Sequence, residues 1–149
     1  MEISSNAFSD GGRIPEKYGY KRDNIHPPLK FSDIPESAES LAIVVDDPDA
    51  KEPAGKIWEH WLIWNISPET TEIDEGQQPI GAREGMNDFG KRGYGGPNPP
   101  DGEHVYRFKL YALDRELNIN DASDREDLKN ETENDIIEKA VLKGSFKPI

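Results

Sequence analysis

The sequence predicts a mainly β fold of antiparallel sheets, and three observations carry that expectation. Thirteen glycines and twelve prolines punctuate the chain, bounding short apolar runs in the manner of a β-domain rather than a helix bundle. Three of those runs, at 41–45, 58–66 and 104–112, are rich in β-branched and aromatic residues, which suit a pleated, half-buried surface. A helical signature occurs only near residue 123 and beyond. At 149 residues the chain lies in the common size range for one domain. No repeat or low-complexity linker divides it, so 1–149 reads as a single domain.

The elements follow in order. Leu41-Ala42-Ile43-Val44-Val45 stops at Asp46-Asp47-Pro48-Asp49, a buried strand ending in a turn. Trp58-Glu59-His60-Trp61-Leu62-Ile63-Trp64-Asn65-Ile66 is apolar on both phases for much of its length and reads as a central strand covered on two sides. Residues 67–103 form a Gly-, Pro-, Asn- and Asp-rich loop region, and loops of that length usually carry function. In the run from His104 to Ala112, His104, Tyr106, Phe108, Leu110 and Ala112 share one face, while Arg107 and Lys109 share the other. Last, Ser123-Asp124-Arg125-Glu126 has the form of a capping box. A patchy apolar stripe of Leu128, Ile136, Ile137, Ala140 and Val141 follows, with Gly144 placed as a C-cap. The expectation is one or two helices over 124–143, packed on the sheet.

Composition excludes several function classes. Eighteen Lys and Arg against thirty Asp and Glu give a net charge of −12, unsuited to a broad nucleic-acid or anionic-membrane face, which needs clustered cations. Without cysteine the chain has no thiol nucleophile, disulfide or Cys-ligated zinc. No apolar run approaches the ~20 residues of a membrane span. The first residues, Met1-Glu2-Ile3-Ser4, lack the cationic and apolar regions of a signal peptide, so a cytoplasmic location is expected.

Only three histidines are present, at 26, 60 and 104. His60 falls in phase with Leu62, Trp64 and Ile66. His104 falls in phase with Tyr106 and Phe108, and Asp47 with Ile43 and Val45. Each of three strands thus places a polar residue on its apolar phase at one end. Antiparallel pairing would bring Asp47 and His60 to one sheet edge, with His104 joining them in a polar pocket walled by tryptophan and tyrosine. Gly93-Tyr94-Gly95-Gly96-Pro97 and the following Asn98-Pro99-Pro100-Asp101-Gly102 lead into His104. Such glycines allow backbone amides to point at an anion.

These segments resemble the phosphatidylethanolamine-binding protein family, also called Raf kinase inhibitor proteins, and its prokaryotic branch most of all. The resemblance rests on Asn24-Ile25-His26-Pro27-Pro28-Leu29, on Ile43 through Ala50 with its Asp47-Pro48-Asp49 core, and on His60-Trp61-Leu62-Ile63-Trp64-Asn65-Ile66. It continues through Asn87-Asp88-Phe89-Gly90 and from Gly93 to Tyr106. It implies a Greek-key β-sandwich with peripheral and C-terminal helices, and a small cavity that accepts phosphate-like or carboxylate groups. It places the ligand-binding residues on Asp47, Asp49, Trp58, His60, Gly96, Pro97, His104 and Tyr106, and it implies a homodimer. Two departures stand out. Lys51 replaces the family's proline after Asp-Pro-Asp-Ala, and would bring a cation to the cavity mouth. Asn98 stands where the prokaryotic branch often has cysteine.

The favoured function is a binding module for a small phosphate- or carboxylate-bearing ligand, requiring no cofactor or metal and modulating an enzyme such as a kinase or protease. His60 and His104 would donate hydrogen bonds, backbone amides near Gly96 would complete the anion site, and Asp47 would orient a histidine. Tyr106 would supply a hydroxyl and Trp58 would exclude water. The alternative is a hydrolase or metal-dependent enzyme using Asp47, His60 and His104, for which no G-x-S-x-G or serine adjoining the pocket speaks.

Overall fold

The computed structural model describes residues 1–149 as two antiparallel sheets with little helix. A small sheet orders β1 (Glu2–Ser4), β2 (Leu29–Ser32) and β5 (Glu72–Ile73) side by side. The large sheet combines β3 (Ser40–Asp47), β4 (Trp58–Ile66), β6 (Arg83–Glu84), β7 (His104–Leu113) and β8 (Ile136–Phe146), in the order β6-β4-β3-β7-β8. Strand β7 thus returns past β4 to lie beside β3, a Greek-key arrangement. Ile3, Leu29, Phe31 and Ile73 of the small sheet pack on Ile43, Val45, Trp61, Ile63 and Phe108 of the large one, the face-to-face burial that holds a sandwich. The outer face of the large sheet buries Ala42, Val44, Leu62 and Trp64 against Leu113, Leu117 and Leu128. Both faces being covered, every residue of β3 is buried, as its unbroken apolar run requires.

The C-terminal expectation is corrected. Helix α2 spans only Arg125–Thr132, and the residues after it form β8, paired with β7 from Leu113↔Ile136 to His104↔Phe146. The i, i+4 stripe was misleading because Leu142, Gly144 and Phe146 also obey a period of two and are the buried residues of this strand. Ten cross-strand pairs then outweigh local helix preference. Gly144 is no C-cap. It sits opposite Tyr106, where a Cβ would meet Ile14 Cγ1 at 2.6 Å and Phe8 at 2.7 Å. The cap of α2 is Asp124 rather than Ser123, in a reciprocal box with Asp127.

Strand β4 carries the irregularity that matters most. Val45 faces Trp61 but Asp46 faces Glu59, so one residue is inserted at His60. A second insertion falls between the pairs Leu41↔Ile66 and Ile43↔Ile63, where Asn65 takes a φ of 56°. These bulges overturn the phase assigned to His60. Leu62 and Trp64 face outward, whereas the His60 ring lies 5.2 Å from that of Tyr106 in the inner core. A bulge re-aims a side chain in this way. It also turns Glu59 to the outer face, beside Asp46.

Candidate functional site

Three polar strand ends converge as the pairing argument required. Asp47 at the end of β3 lies opposite Trp58 at the start of β4, and β7 enters beside them with His104. Together with His60 and Tyr106 they line a cavity of about 180 Å³. Phe89, Pro53, Asn98, Pro99 and Pro100 complete its walls. The Phe89 ring meets His60 and Trp58 edge-on at 5.5 and 5.7 Å and stacks on Tyr20 at 4.2 Å.

The two histidines are held differently. The Nδ1 of His60 lies 2.6 Å from the Gly95 carbonyl; because that oxygen only accepts, Nδ1 carries the proton. In the neutral ring Nε2 is therefore a bare lone pair, and it has no protein partner. Burial holds the His60 pKa below the ordinary value, against the pull of the Gly95 carbonyl and of Asp47. His104 instead sits between two carboxylates, Nδ1 at 2.6 Å from Asp47 Oδ2 and Nε2 at 2.6 Å from Asp101 Oδ1. Burial depresses this ring too, but hydrogen bonds to Asp47 and Asp101 together lift its pKa above the ordinary value. One ring is thus poised neutral and the other cationic.

The Tyr106 hydroxyl is buried without a hydrogen-bond partner. Burial first, and the charge of Asp47 second, push its pKa up, so it stays a donor. A buried hydroxyl without a partner costs about 1–3 kcal/mol, and a ligand oxygen arriving in the cavity would recover that loss.

The other residues expected at the ligand lie outside the cavity lining and build its frame. Asp49 donates its amide to Asp47 Oδ1 at 2.9 Å and accepts the Val105 amide at 2.8 Å, which fixes the start of β7 against the end of β3. The Gly95 amide is bonded to the His60 carbonyl at 2.8 Å. That of Gly96 is bonded to Asn24 Oδ1 at 2.7 Å, and the Pro97 carbonyl accepts from Tyr20. The loop amides are therefore spent on scaffold contacts. Lys51 opens the short helix α1 (Lys51–Ala54) but lines a different groove, on the outer face of the sheet; its shifted partner Pro53 takes the place at the cavity wall. His26 stacks on Trp61 at 4.6 Å, with Nε2 2.7 Å from the Gln77 carbonyl, a packing role. Asp47, His60 and His104 do not form a metal-holding cluster.

Sequence reasoning missed Phe89, Asn87, Asn24 and Asp101 as parts of this site. Asn87 Oδ1 accepts the Phe89 and Lys91 amides while its Nδ2 donates to the Gly93 carbonyl. This side-chain turn is legible in Asn-Asp-Phe-Gly and is what presents the Phe89 ring. Asn24 adopts a φ of 54° to reach Gly96. Asp101 carried no signal, since its role depends on how the Pro99-Pro100 segment folds over His104.

Comparison with known proteins agrees with this fold. The phosphatidylethanolamine-binding protein family profile matches residues 4–147. A UPF0098 protein of Methanothermobacter thermautotrophicus is 41% identical over 99% of each chain, and one from Chlamydia muridarum is 42% identical over 99% of each. Among solved structures, a phosphatidylethanolamine-binding protein homologue from Chlamydia trachomatis superposes with a TM-score of 0.93 at 39% identity, covering 99% of this chain and 97% of its own. Escherichia coli YbcL gives 0.91 at 29% identity, covering 99% and 98%. With nearly its whole length matched by the family profile and by relatives above 40% identity, the chain belongs to the phosphatidylethanolamine-binding protein family.

Proposed function

We propose that the protein is a binding module whose cavity takes the head of a small anionic ligand, a phosphate monoester or carboxylate, and through it modulates an enzyme. The carrying observation is the buried, unpartnered Tyr106 hydroxyl beside the free Nε2 of His60. A cavity of about 180 Å³ is smaller than the ~300–1,000 Å³ typical of whole-ligand sites, so a head group enters and the rest of the ligand stays outside. Trp58 and Phe89 would exclude water around it, raising the worth of each hydrogen bond.

The protonation pattern sets the terms of binding. His60 donates from Nε2 only as imidazolium, because Nδ1–H is already committed to Gly95. The Nε2–H of His104 is occupied by Asp101, whose side chain is 51% exposed. An incoming anion would displace this carboxylate from His104 and favour uptake of a solvent proton by His60, so binding should strengthen as pH falls.

Two substitutions should move the phosphate affinity in opposite directions. Tyr106→Phe removes a donor to a charged acceptor, worth about 1.5–3 kcal/mol, and should weaken binding roughly tenfold or more. Its melting temperature should hold or rise, since the hydroxyl has no partner in the free protein. Asp101→Asn removes the resident competitor at His104 Nε2 and should tighten binding several-fold. Calorimetric titration with inorganic phosphate measures both. Equal affinities in all three proteins would refute the reading.

A further inference from the structure

On the opposite face of the large sheet lies a second concavity, a groove of about 570 Å³. Its floor holds Asp46, Glu59 and Lys109, with side chains 2%, 8% and 8% exposed, and its rims are α1 with the turn after it and the first half of α2. The residues around it include six of the chain's eighteen cationic side chains and five of its thirty carboxylates. The groove is thus net +1 on a chain of net −12.

Packing accounts for part of this network. Asp46 accepts from Arg107 Nε at 2.7 Å and Lys109 Nζ at 2.6 Å, and Lys56 pairs with Asp88 at 3.0 Å. Three features are left over. Lys51 and Lys129, one on each rim, head no ion pair. Arg125 touches Glu59 only loosely, at 3.4 Å. The space between them stays open, in the ~300–1,000 Å³ range of small-ligand sites and about three times the volume of the inner cavity. Cations on two rims around an open volume match a ligand with separated negative groups; a single phosphate would satisfy one rim only.

We propose that this groove is a second binding site, for a small ligand carrying two or more phosphate or carboxylate groups, held between Lys51, Lys129 and Arg125. It opens on the other face of the sheet from the anion cavity, with α1 bordering both. Glu59 couples the site to pH. Burial, then the charge of Asp46, raise its pKa to about 7, with Asp88 adding to them and Lys109 and Arg125 opposing; Lys51, Lys56, Arg107 and Lys129 are the remaining cations around the groove, and Asp124 and Glu126 the remaining carboxylates. Protonating Glu59 takes the groove from net +1 to +2, so a polyanion should bind more tightly below neutral pH than above it.

The test is a titration of the full chain with pyrophosphate, and in parallel with citrate, followed by NMR at the Arg107 and Arg125 Nε–H groups and the amides of 124–129. Saturable shifts at these signals are expected, with affinity rising several-fold from pH 8 to pH 6. A response to one probe alone assigns the site to phosphate or to carboxylate. Replacing the exposed Lys51→Ala and Lys129→Ala together should weaken binding tenfold or more at unchanged melting temperature, and Glu59→Gln should flatten the pH dependence. Silent groove signals with both probes, or binding that survives the double replacement, overturn the proposal. The His60 ring reports the inner cavity separately, so failure of either site is read on its own.

Discussion

Gly96→Ala should destabilise the protein by about 3 kcal/mol or more, the upper end of overpacking costs. A Cβ at this position would lie 2.2 Å from the Tyr18 carbonyl oxygen and 2.8 Å from both Gly19 C and Tyr20 N. All three are backbone atoms, so no rotamer change relieves the clash. The loop and the 18–20 segment are also tied by the Tyr20 amide to the Pro97 carbonyl and by Tyr94 Oη to the Tyr18 carbonyl, at 3.0 and 2.9 Å. Separating them breaks these bonds and the Gly96–Asn24 bond. At ~2–4 °C per kcal/mol for a chain of this size, the melting temperature should fall by about 6–12 °C. Thermal unfolding of the ligand-free variant measures the fall, and an unchanged melting temperature would contradict the close approach of this loop to the 18–20 backbone.

Asp47→Ala is the second large effect. Asp47 and His104 are 4% and 5% exposed, and removing one member of a buried pair costs about 3–5 kcal/mol. The lower end is expected, because Asp101 still compensates the His104 charge. The sign of the pH dependence follows from His104. Its folded pKa is raised, so the pair's stabilisation is fully present below the unfolded value of about 6.5 and is lost as pH rises through the folded one. The deficit of the variant should therefore be largest near pH 6 and smaller at pH 9, which denaturant unfolding at the two pH values measures. His60 acts in the opposite sense: its lowered folded pKa removes stability as pH falls below about 6.5. The difference between variant and parent carries the His104 contribution first and a smaller one from His60, whose pKa Asp47 also pulls up.

What the sequence revealed, and what it hid, follows from the range of the forces involved. The runs that became β3, β4 and β7 were legible because their patterning is local. The clustering of Asp47, His60 and His104 needed only one further assumption, antiparallel pairing. The true orientation of His60 was not legible, because a bulge is decided by the neighbouring strand: only the register of β3 against β4 shows that His60 is inserted. For the same reason the sequence reads as helix over β8, its strand pattern being overlaid by an i, i+4 coincidence that pairing with β7 resolves. The glycines at 95 and 96 stand out in the sequence for their amides, and those amides are engaged at the His60 carbonyl and Asn24 Oδ1. The reason only glycine fits is the Tyr18–Tyr20 backbone, more than seventy residues away in sequence. Asp101 and the groove around Glu59 arise wholly from tertiary approach.

The cavity as an anion receptor is tested most directly by NMR titration of the three histidine rings with inorganic phosphate across pH 5–8. Binding that draws protons onto His60 and frees His104 from Asp101 should shift both rings and raise the apparent pKa of His60. His26, stacked on Trp61 away from the cavity, should stay still. A response confined to His26, or none at any ring, would contradict the account.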